Sequence, residues 1–514
     1  MAMNLKTPFV ALSSAILFAA CSTDAVVSPL KVPTGPKLSL STGSARSSYI
    51  VLLKGSNADG FADKVAALGG KATYVNAKAG FATVAGLPSA AVAQLSAINV
   101  VADVQADQAV SLDSPIPSTA DAALVDNPSI DSQANPAGAI LATWQWDMAA
   151  IHAGAAWSAG KLGDPTVKVA ILDTGIDYNS FDANGLVDAA NSTSFMDLYI
   201  HNSTSHADSL LTPHQDTVRA DNFVRATFFP SRAAYTDFNG HGTNVASTVS
   251  SKAFALAGVT SKTTLMAVKV LGSNGAGSLG TVLSGVLWAA DHGADVANMS
   301  LGGGFGKSGN GRIVGIINKV FNYAKQQGML IVVSAGNSAI DLQHDGNLYS
   351  SYCDAPHVLC VSAVGLPTVT GNPDAPAFYS NFGKNSIGVA APGGNATLDA
   401  NGNLVPSNGW PWGSPDIASW VWSLCAKDRL AGFTTTNVPV ITVCSAGNRL
   451  TGFIGTSQAA PHVSGLAALL VAQFGKGNPM MIKKIIQSSG DPLDPDLNDA
   501  FGRTRINVQR ALGL

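Results

Sequence analysis

Three short segments hold side chains that together could attack a carbonyl. In VAILDTGID, Asp173 stands at the end of an apolar run that reads as a buried strand; in NGHGTNVAS, His241 opens a helical pattern between two glycines. In GTSQAAPHVSG, Ser457 follows Gly455 at the start of another helix. A hydroxyl is a weak nucleophile until an adjacent imidazole takes its proton, and that imidazole needs a carboxylate to fix its tautomer and steady its positive charge. Singly, these residues would serve as a strand terminator, a helix cap and an N-cap. Together, glycine-framed and in the order Asp, His, Ser, they point to acyl transfer through a covalent intermediate.

In these motifs the sequence resembles the subtilisin-like serine peptidases, the subtilases, over most of residues 141–514. The resemblance implies an α/β catalytic domain that hydrolyses peptide bonds, with Asp173, His241 and Ser457 as its triad. It also implies that the amide of Asn337, in IVVSAGN, joins the backbone N–H of Ser457 in holding the oxyanion, although an Asn after Ala-Gly would also satisfy a turn. NMSLGGG, residues 298–304, matches the family strand that pairs with substrate, here through Ser300, Leu301 and Gly302. SNGAGSLG, residues 273–280, resembles the opposing edge, where Gly275 and Gly277 leave room for an extended peptide. Such pairing reads chain shape more than side chains, so broad specificity is expected, with an apolar residue before the scissile bond. Ser247 departs from the glycine usual in the histidine motif, and Gln458 from the methionine common after the nucleophile; neither removes a reacting group. Catalysis needs no cofactor; structural calcium is an expectation of the family for which no ligands can be assigned.

The elements that must position these groups are legible as apolar runs. TVKVAILDTGID, TTLMAVKVL, DVANMSLGG, MLIVVSAGN, HVLCVSAVG and NSIGVAAPG read as buried strands, and helical patterns follow in GTVLSGVLWAADHGA, RIVGIINKVFNYAKQQG, SQAAPHVSGLAALLVAQFG and PMMIKKIIQSS. The alternation predicts an α/β fold, a mainly parallel sheet covered by helices on both faces, with function at the carboxyl ends of its strands. Residues 48–112 carry a separate βαββαβ pattern, a small α+β ferredoxin-like domain that resembles the inhibitory propeptide of many subtilases. The peptidase domain is placed at 141–514, with 113–140, rich in Pro, Ser, Ala and Asp, as an exposed linker holding the processing site.

With 30 Lys+Arg against 33 Asp+Glu in 514 residues, the chain has no basic excess for nucleic acid, and its 46% hydrophobic residues exclude wholesale disorder. Pro8 to Ala20, behind Lys6 and ahead of small residues, reads as the core of a secretory signal peptide over 1–20 and falls short of the roughly 18 apolar residues that span a bilayer. Cys21 then fits a bacterial lipidation site, so any membrane contact runs through a lipid, and 21–47 reads as a flexible tether. The remaining cysteines group as Cys353 with Cys360 and Cys425 with Cys444, which suits two short-range disulfides in an oxidising compartment, other pairings staying open. Their spacing does not suit zinc, and neither does that of His201, His206 and His214.

The triad intervals, 68 and 216 residues, call for insertions within about 180–235 and 395–452. The second holds Trp410, Trp412, Trp420 and Trp422, read as loop anchors rather than cleft lining. The expected protein is an exported, monomeric serine endopeptidase acting on proteins or peptides, made as a precursor whose own propeptide inhibits it. The alternative is a catalytically silent, surface-anchored binding protein on the same scaffold.

Overall fold

The computed structural model describes residues 46–112, 121–122, 132–196, 225, 229–366, 371–396, 419–428, 434–435, 438–439, 450–497 and 499–514. The segment read as a signal peptide, Cys21, Cys444, the three loop histidines 201, 206 and 214, Trp410 and Trp412 lie outside them.

The N-terminal unit runs β1 (Arg46–Leu53), α1 (Phe61–Ala67), β2 (Lys71–Asn76), β3 (Phe81–Pro88), α2 (Val92–Ser96) and β4 (Val101–Ala106). Its antiparallel sheet has the order β2-β3-β1-β4, with both crossovers made by helices, the topology expected of the βαββαβ pattern. Side chains alternate along a strand, so Tyr49, Val51 and Leu53 of β1 pack with Phe61, Val65 and Leu95 of the two helices, while Ile50 faces the other way. Ile50 and Phe81 join the core of the larger domain. The small sheet is therefore covered on both faces. The strand opens at Arg46, inside the segment read as tether, because its first residues pair with Leu87 and Pro88 at the end of β3.

A short strand, β5 (Ala109–Ser111), follows β4, and the helix α3 (Trp146–Ala150) leads into the large domain. Its sheet contains β6 (Lys168–Asp173), β7 (Thr193–Ser194), β8 (Thr264–Lys269), β10 (Val296–Met299), β11 (Leu330–Ser334), β12 (Leu359–Val364), β13 (Val389–Pro392), β16 (Asp491–Pro492) and β17 (Thr504–Arg505). Among the described residues these nine strands lie in the order β16-β17-β13-β12-β11-β10-β6-β8-β7, and every pairing is parallel except β16 with β17. Among the short strands outside this sheet are β9 (Ala276–Ser278), β14 (Val421–Leu424) and β15 (Leu450–Phe453).

Two layers of helices cover this sheet, and strand alternation decides which residue meets which layer. Val169, Ile171 and Val332 pack with α4 (His241–Val249), α7 (Thr456–Phe474), α8 (Pro479–Ser489) and α9 (Val508–Leu512). Ala170, Leu172, Ile331 and Val333 face α5 (Leu279–Asp291) and α6 (Gly311–Gln326). The central strands read as unbroken apolar runs because both faces are buried, each large aliphatic contributing roughly 1.5–3 kcal/mol. No helix among the described residues is long and apolar enough to cross a membrane.

Part of the segment read as an exposed linker is docked. Gln133 donates to the Ser261 carbonyl at 2.6 Å and accepts the Ser261 hydroxyl on its own carbonyl at 2.7 Å, while Ile140 N–H donates to Phe254 O at 3.0 Å. The large domain thus holds this stretch at Gln133 and Ile140, while Ala134, Asn135, Ala137, Gly138 and Ile140 itself stay exposed. Trp420 and Trp422 are buried, the latter edge-on to Trp144 with ring centroids 5.1 Å apart, and Trp146 donates its indole N–H to the Trp420 carbonyl. A disulfide joins Cys353 to Cys360, and Cys425 is also disulfide-bonded.

Leu172→Ala, made in the Ser457→Ala background so that no cleavage intervenes, is expected to cost about 2–5 kcal/mol, read as a lower urea midpoint.

Candidate active site

Three neighbouring strands of the parallel sheet end on candidate residues. β6 ends at Asp173, β10 is followed by Ser300, and β11 runs on to Asn337. Strands β6, β10 and β11 are hydrogen-bonded neighbours, so positions 173, 300 and 337, far apart in sequence, share one edge.

Asp173 is fully buried and accepts the Thr174 N–H at 2.7 Å. Its two oxygens lie 2.9 and 3.0 Å from His241 Nδ1. An ionised carboxylate can only accept, so Nδ1 carries the hydrogen and Nε2 is the basic nitrogen of the neutral ring. Getting the imidazole there requires the first turn of α4 to lie against β6. Gly242 permits it: a methyl at that position would collide with the Gly175 carbonyl and sit 3.1 Å from the Asp173 carboxylate.

The turn before α4 is held by Asp237, which sequence reasoning missed. Its carboxylate accepts five donors: N–H of Asn239 (2.8 Å), Gly240 (2.9 Å) and Thr243 (2.9 Å), and the hydroxyls of Thr243 (2.7 Å) and Thr174 (3.0 Å). Thr174 Oγ1 in turn accepts the Gly242 N–H at 2.9 Å, which ties the histidine turn to the residue beside Asp173. The available signal was an acidic residue four positions ahead of the histidine with a threonine two beyond it, a helix-start pattern.

Ser457 is the second residue of α7 and is 1% exposed. Its hydroxyl donates to the Ser300 carbonyl at 3.4 Å, and the Ser300 hydroxyl donates to the Ser457 carbonyl at 2.8 Å. The second bond exists because residue 461, four positions on, is a proline with no N–H to fill the Ser457 carbonyl. Asn337 accepts both the N–H and the hydroxyl of Thr456 on its Oδ1, at 2.8 and 2.9 Å, which fixes the direction of the amide. Its Nδ2 is buried and has no hydrogen-bond partner among the described residues. A methyl on Gly455 would press on Gln458 Oε1 at 2.8 Å and lie 3.4 Å from that Nδ2 and 3.7 Å from Ser457 N. The missing side chain leaves a space that two N–H donors border.

α4 and α7 are joined by a hydrogen bond from Gln458 Nε2 to Asn244 Oδ1 at 3.3 Å. Ser247, the departure from glycine, ties α4 to β14: its hydroxyl contacts Ser423 Oγ at 2.5 Å and accepts the Leu424 N–H at 3.1 Å. The proposed substrate edges lie on either side of β5. On one side β5 pairs with β9 in the register Val110 to Gly277, extended by the Leu112 N–H donating to Gly275 O at 2.8 Å; on the other, Ser111 bridges antiparallel to Gly302. Leu301 is buried within the apolar core on this side of the sheet. Residues 109–112 thus form the middle strand between the two edges.

Residues 164–503 match the subtilase family pattern. The chain belongs to the subtilase family of serine peptidases. It is 27% identical over 373 residues to the alkaline elastase YaB of Bacillus sp. strain YaB, covering 72% of this chain and 71% of that one. To the thermophilic serine proteinase of Bacillus sp. strain AK1 it is 27% identical over 360 residues, which is 70% of this chain and 64% of the relative. Fervidolysin from Fervidobacterium pennivorans, a keratinolytic enzyme related to subtilisin, shares the fold with a TM-score of 0.61 at 21% identity, over 93% of this chain and 62% of its own. The epidermin leader peptide processing serine protease of Staphylococcus aureus does so with a TM-score of 0.61 at 20% identity, over 91% of this chain and 98% of its own. Among the described residues of this subtilase, no group of three or more His, Cys, Asp or Glu side chains is arranged to hold a metal ion.

Beside the site, burial and then the nearby Asp428 and Asp237 push the Asp177 carboxyl up to about 6, against hydrogen bonds from the Lys427 and Asn179 N–H groups. In the unfolded chain this carboxyl keeps its ordinary value near 3.8, so the folded state holds the proton longer and loses stability as the pH rises from about 4 through about 6. Urea midpoints of the Ser457→Ala chain across that window are expected to fall with pH more steeply than those of the same chain carrying Asp177→Asn. Separately, Gly455→Ala is expected to slow fluorophosphonate labelling of Ser457 by about 10²–10³-fold while circular dichroism is unchanged, because the methyl fills the space between the two donors.

Proposed function

We propose that this subtilase is an exported serine endopeptidase of broad specificity, made as a precursor that cuts itself, with Asp173, His241, Ser457 and Asn337 as its reacting groups. The observation that carries the reading is the buried Asp173–His241 pair at the carboxyl edge where the start of α7 presents Ser457 beside the Asn337 amide. Ser457 Oγ attacks the scissile carbonyl carbon and its proton passes to His241 Nε2. Asp173 holds the ring and stabilises the imidazolium. The oxyanion is received by Asn337 Nδ2 and the Ser457 N–H. Collapse breaks the C–N bond, His241 gives its proton to the leaving amine, and water hydrolyses the acyl ester by the same route.

The precursor reading rests on β5. A strand that fills the cleft from the N-terminal side is what an intramolecular inhibitor would present, and backbone pairing on both edges suits acceptance of many peptide sequences. The small domain is fastened by Asp107, which accepts the Ser278 hydroxyl at 2.7 Å and the Gly280 N–H at 2.8 Å at the start of α5, by Asn76 on Asp291 at 2.6 Å, and by Arg312 on Asp103 at 2.9 Å. Because Gln133 and Ile140 are hydrogen-bonded to the large domain, the cut within 113–140 belongs ahead of Gln133. The signal peptide and a lipid on Cys21 belong to the same proposal; cleavage would separate that lipid from the peptidase. Structural calcium stays a proposal without ligands.

Expression of the full chain and of Ser457→Ala in a bacterial host with export machinery tests this reading, with intact mass, N-terminal sequencing and a fluorophosphonate probe. The wild type is expected to label at Ser457 and begin between residues 113 and 132, and the variant to do neither. Folded wild type that neither labels nor matures, with calcium supplied, would instead favour the silent binding scaffold.

A further inference from the structure

His462 lies five residues past Ser457 on α7 and is fully buried with Asp147 of α3. Its Nδ1 is 2.8 Å from the Gln458 carbonyl and its Nε2 is 2.9 Å from Asp147 Oδ2. A carbonyl can only accept, so Nδ1 must carry a hydrogen. A carboxylate also only accepts, so a neutral ring cannot serve both partners: either both nitrogens are protonated or Asp147 is. Asp147 Oδ1 is buried without a hydrogen-bond partner among the described residues. Among those residues Asp147 is the one ionisable side chain that pairs with His462, while Asp173 and His241, on neighbouring β6 and α4, are engaged with each other.

We propose that His462 is a buried imidazolium held by the Asp147 carboxylate, and that the pair is a positioning device for the nucleophile. Each ring nitrogen faces an acceptor, the Gln458 carbonyl at Nδ1 and the Asp147 carboxyl oxygen at Nε2, and a doubly protonated ring satisfies both. The device acts on the first turn of α7. There Pro461 removes the donor for the Ser457 carbonyl, and Ser300 fills it from β10; His462 adds a ring donor to the next carbonyl, Gln458, and anchors it through Asp147 to α3. Consecutive carbonyls at 457 and 458 are thus clamped from two different elements, which fixes the angle at which the turn presents Ser457. A buried ion pair is no better for stability than well-packed apolar side chains, so direction is what this one supplies. The inference rests on Ser457 as nucleophile.

The test uses the full chain with ¹⁵N-labelled histidine in the Ser457→Ala background. At pH 8, above the usual histidine value of about 6.5, one histidine is expected to show hydrogens on both ring nitrogens. His462→Gln removes that signal, and Asp147→Asn converts it to a singly protonated ring. In the active background, Asp147→Asn is expected to lower kcat about 10- to 100-fold with KM changed less than about twofold. A singly protonated His462 at pH 8 in the Ser457→Ala chain overturns the proposal whether or not the other variants fold, and so does a folded Asp147→Asn enzyme with wild-type kcat. Failure of the nucleophile reading is distinguishable, since wild type would then escape fluorophosphonate labelling at Ser457 whatever the state of His462.

Discussion

A carboxylate with no access to water must be met by hydrogen-bond donors, and Asp173 is such a carboxylate at the end of a strand buried on both faces. One donor is local, the Thr174 N–H; the other is the imidazole of His241, which arrives 68 residues later. Its arrival places demands on everything around it. The start of α4 has to press against the loop after β6, so position 242 has no side chain, and the turn entering α4 has to be rigid, so Asp237 gathers its backbone N–H groups. The orientation of the histidine is thus a by-product of satisfying one buried charge.

The second half of the site is built by a different rule. Parallel strands deliver their carboxyl ends to one edge, and adjacent β6, β10 and β11 place Asp173, Ser300 and Asn337 there without any local sequence relation. α7 then crosses that edge with its N-terminal turn open. Proline at 461 gives up a helical hydrogen bond, and the carbonyl released is taken by the Ser300 hydroxyl, so a defect in the helix becomes its attachment to the sheet. Thr456 completes the attachment by fixing the Asn337 amide, and Gly455 keeps the space in front of it open.

The apolar strands were readable because burial on both faces leaves continuous Val, Ile, Leu and Ala runs, and the candidate site residues stood out because close backbone approach requires glycine beside them. The βαββαβ order of the small domain followed from two periodicities that switch cleanly between Arg46 and Ala106. Long-range hydrogen bonds were not readable. Gln133 with Ser261, Ser247 with Ser423, and Asp147 with His462 span 128, 176 and 315 residues, and nothing in the local pattern of either partner announces the other. At residues 132–140 composition announced exposure, which Ala134, Asn135, Ala137, Gly138 and Ile140 show, but not the hydrogen bonds that hold Gln133 and Ile140 to the large domain. Asp237 was overlooked because an acidic residue before a helix is common, and only the convergence of five donors marks this one.

The strand β5 occupies its groove as part of the same polypeptide, so its local concentration is set by chain length and remains in the millimolar range however dilute the protein. In the proposed precursor, one cut after Leu112 alters none of the hydrogen bonds along Ala109–Ser111, yet it turns occupancy of the groove into an ordinary bimolecular equilibrium. Release then depends on the volume into which the molecule is delivered. A volume that holds the cut protein above the dissociation constant keeps the strand seated, and dilution below that constant empties the groove by mass action.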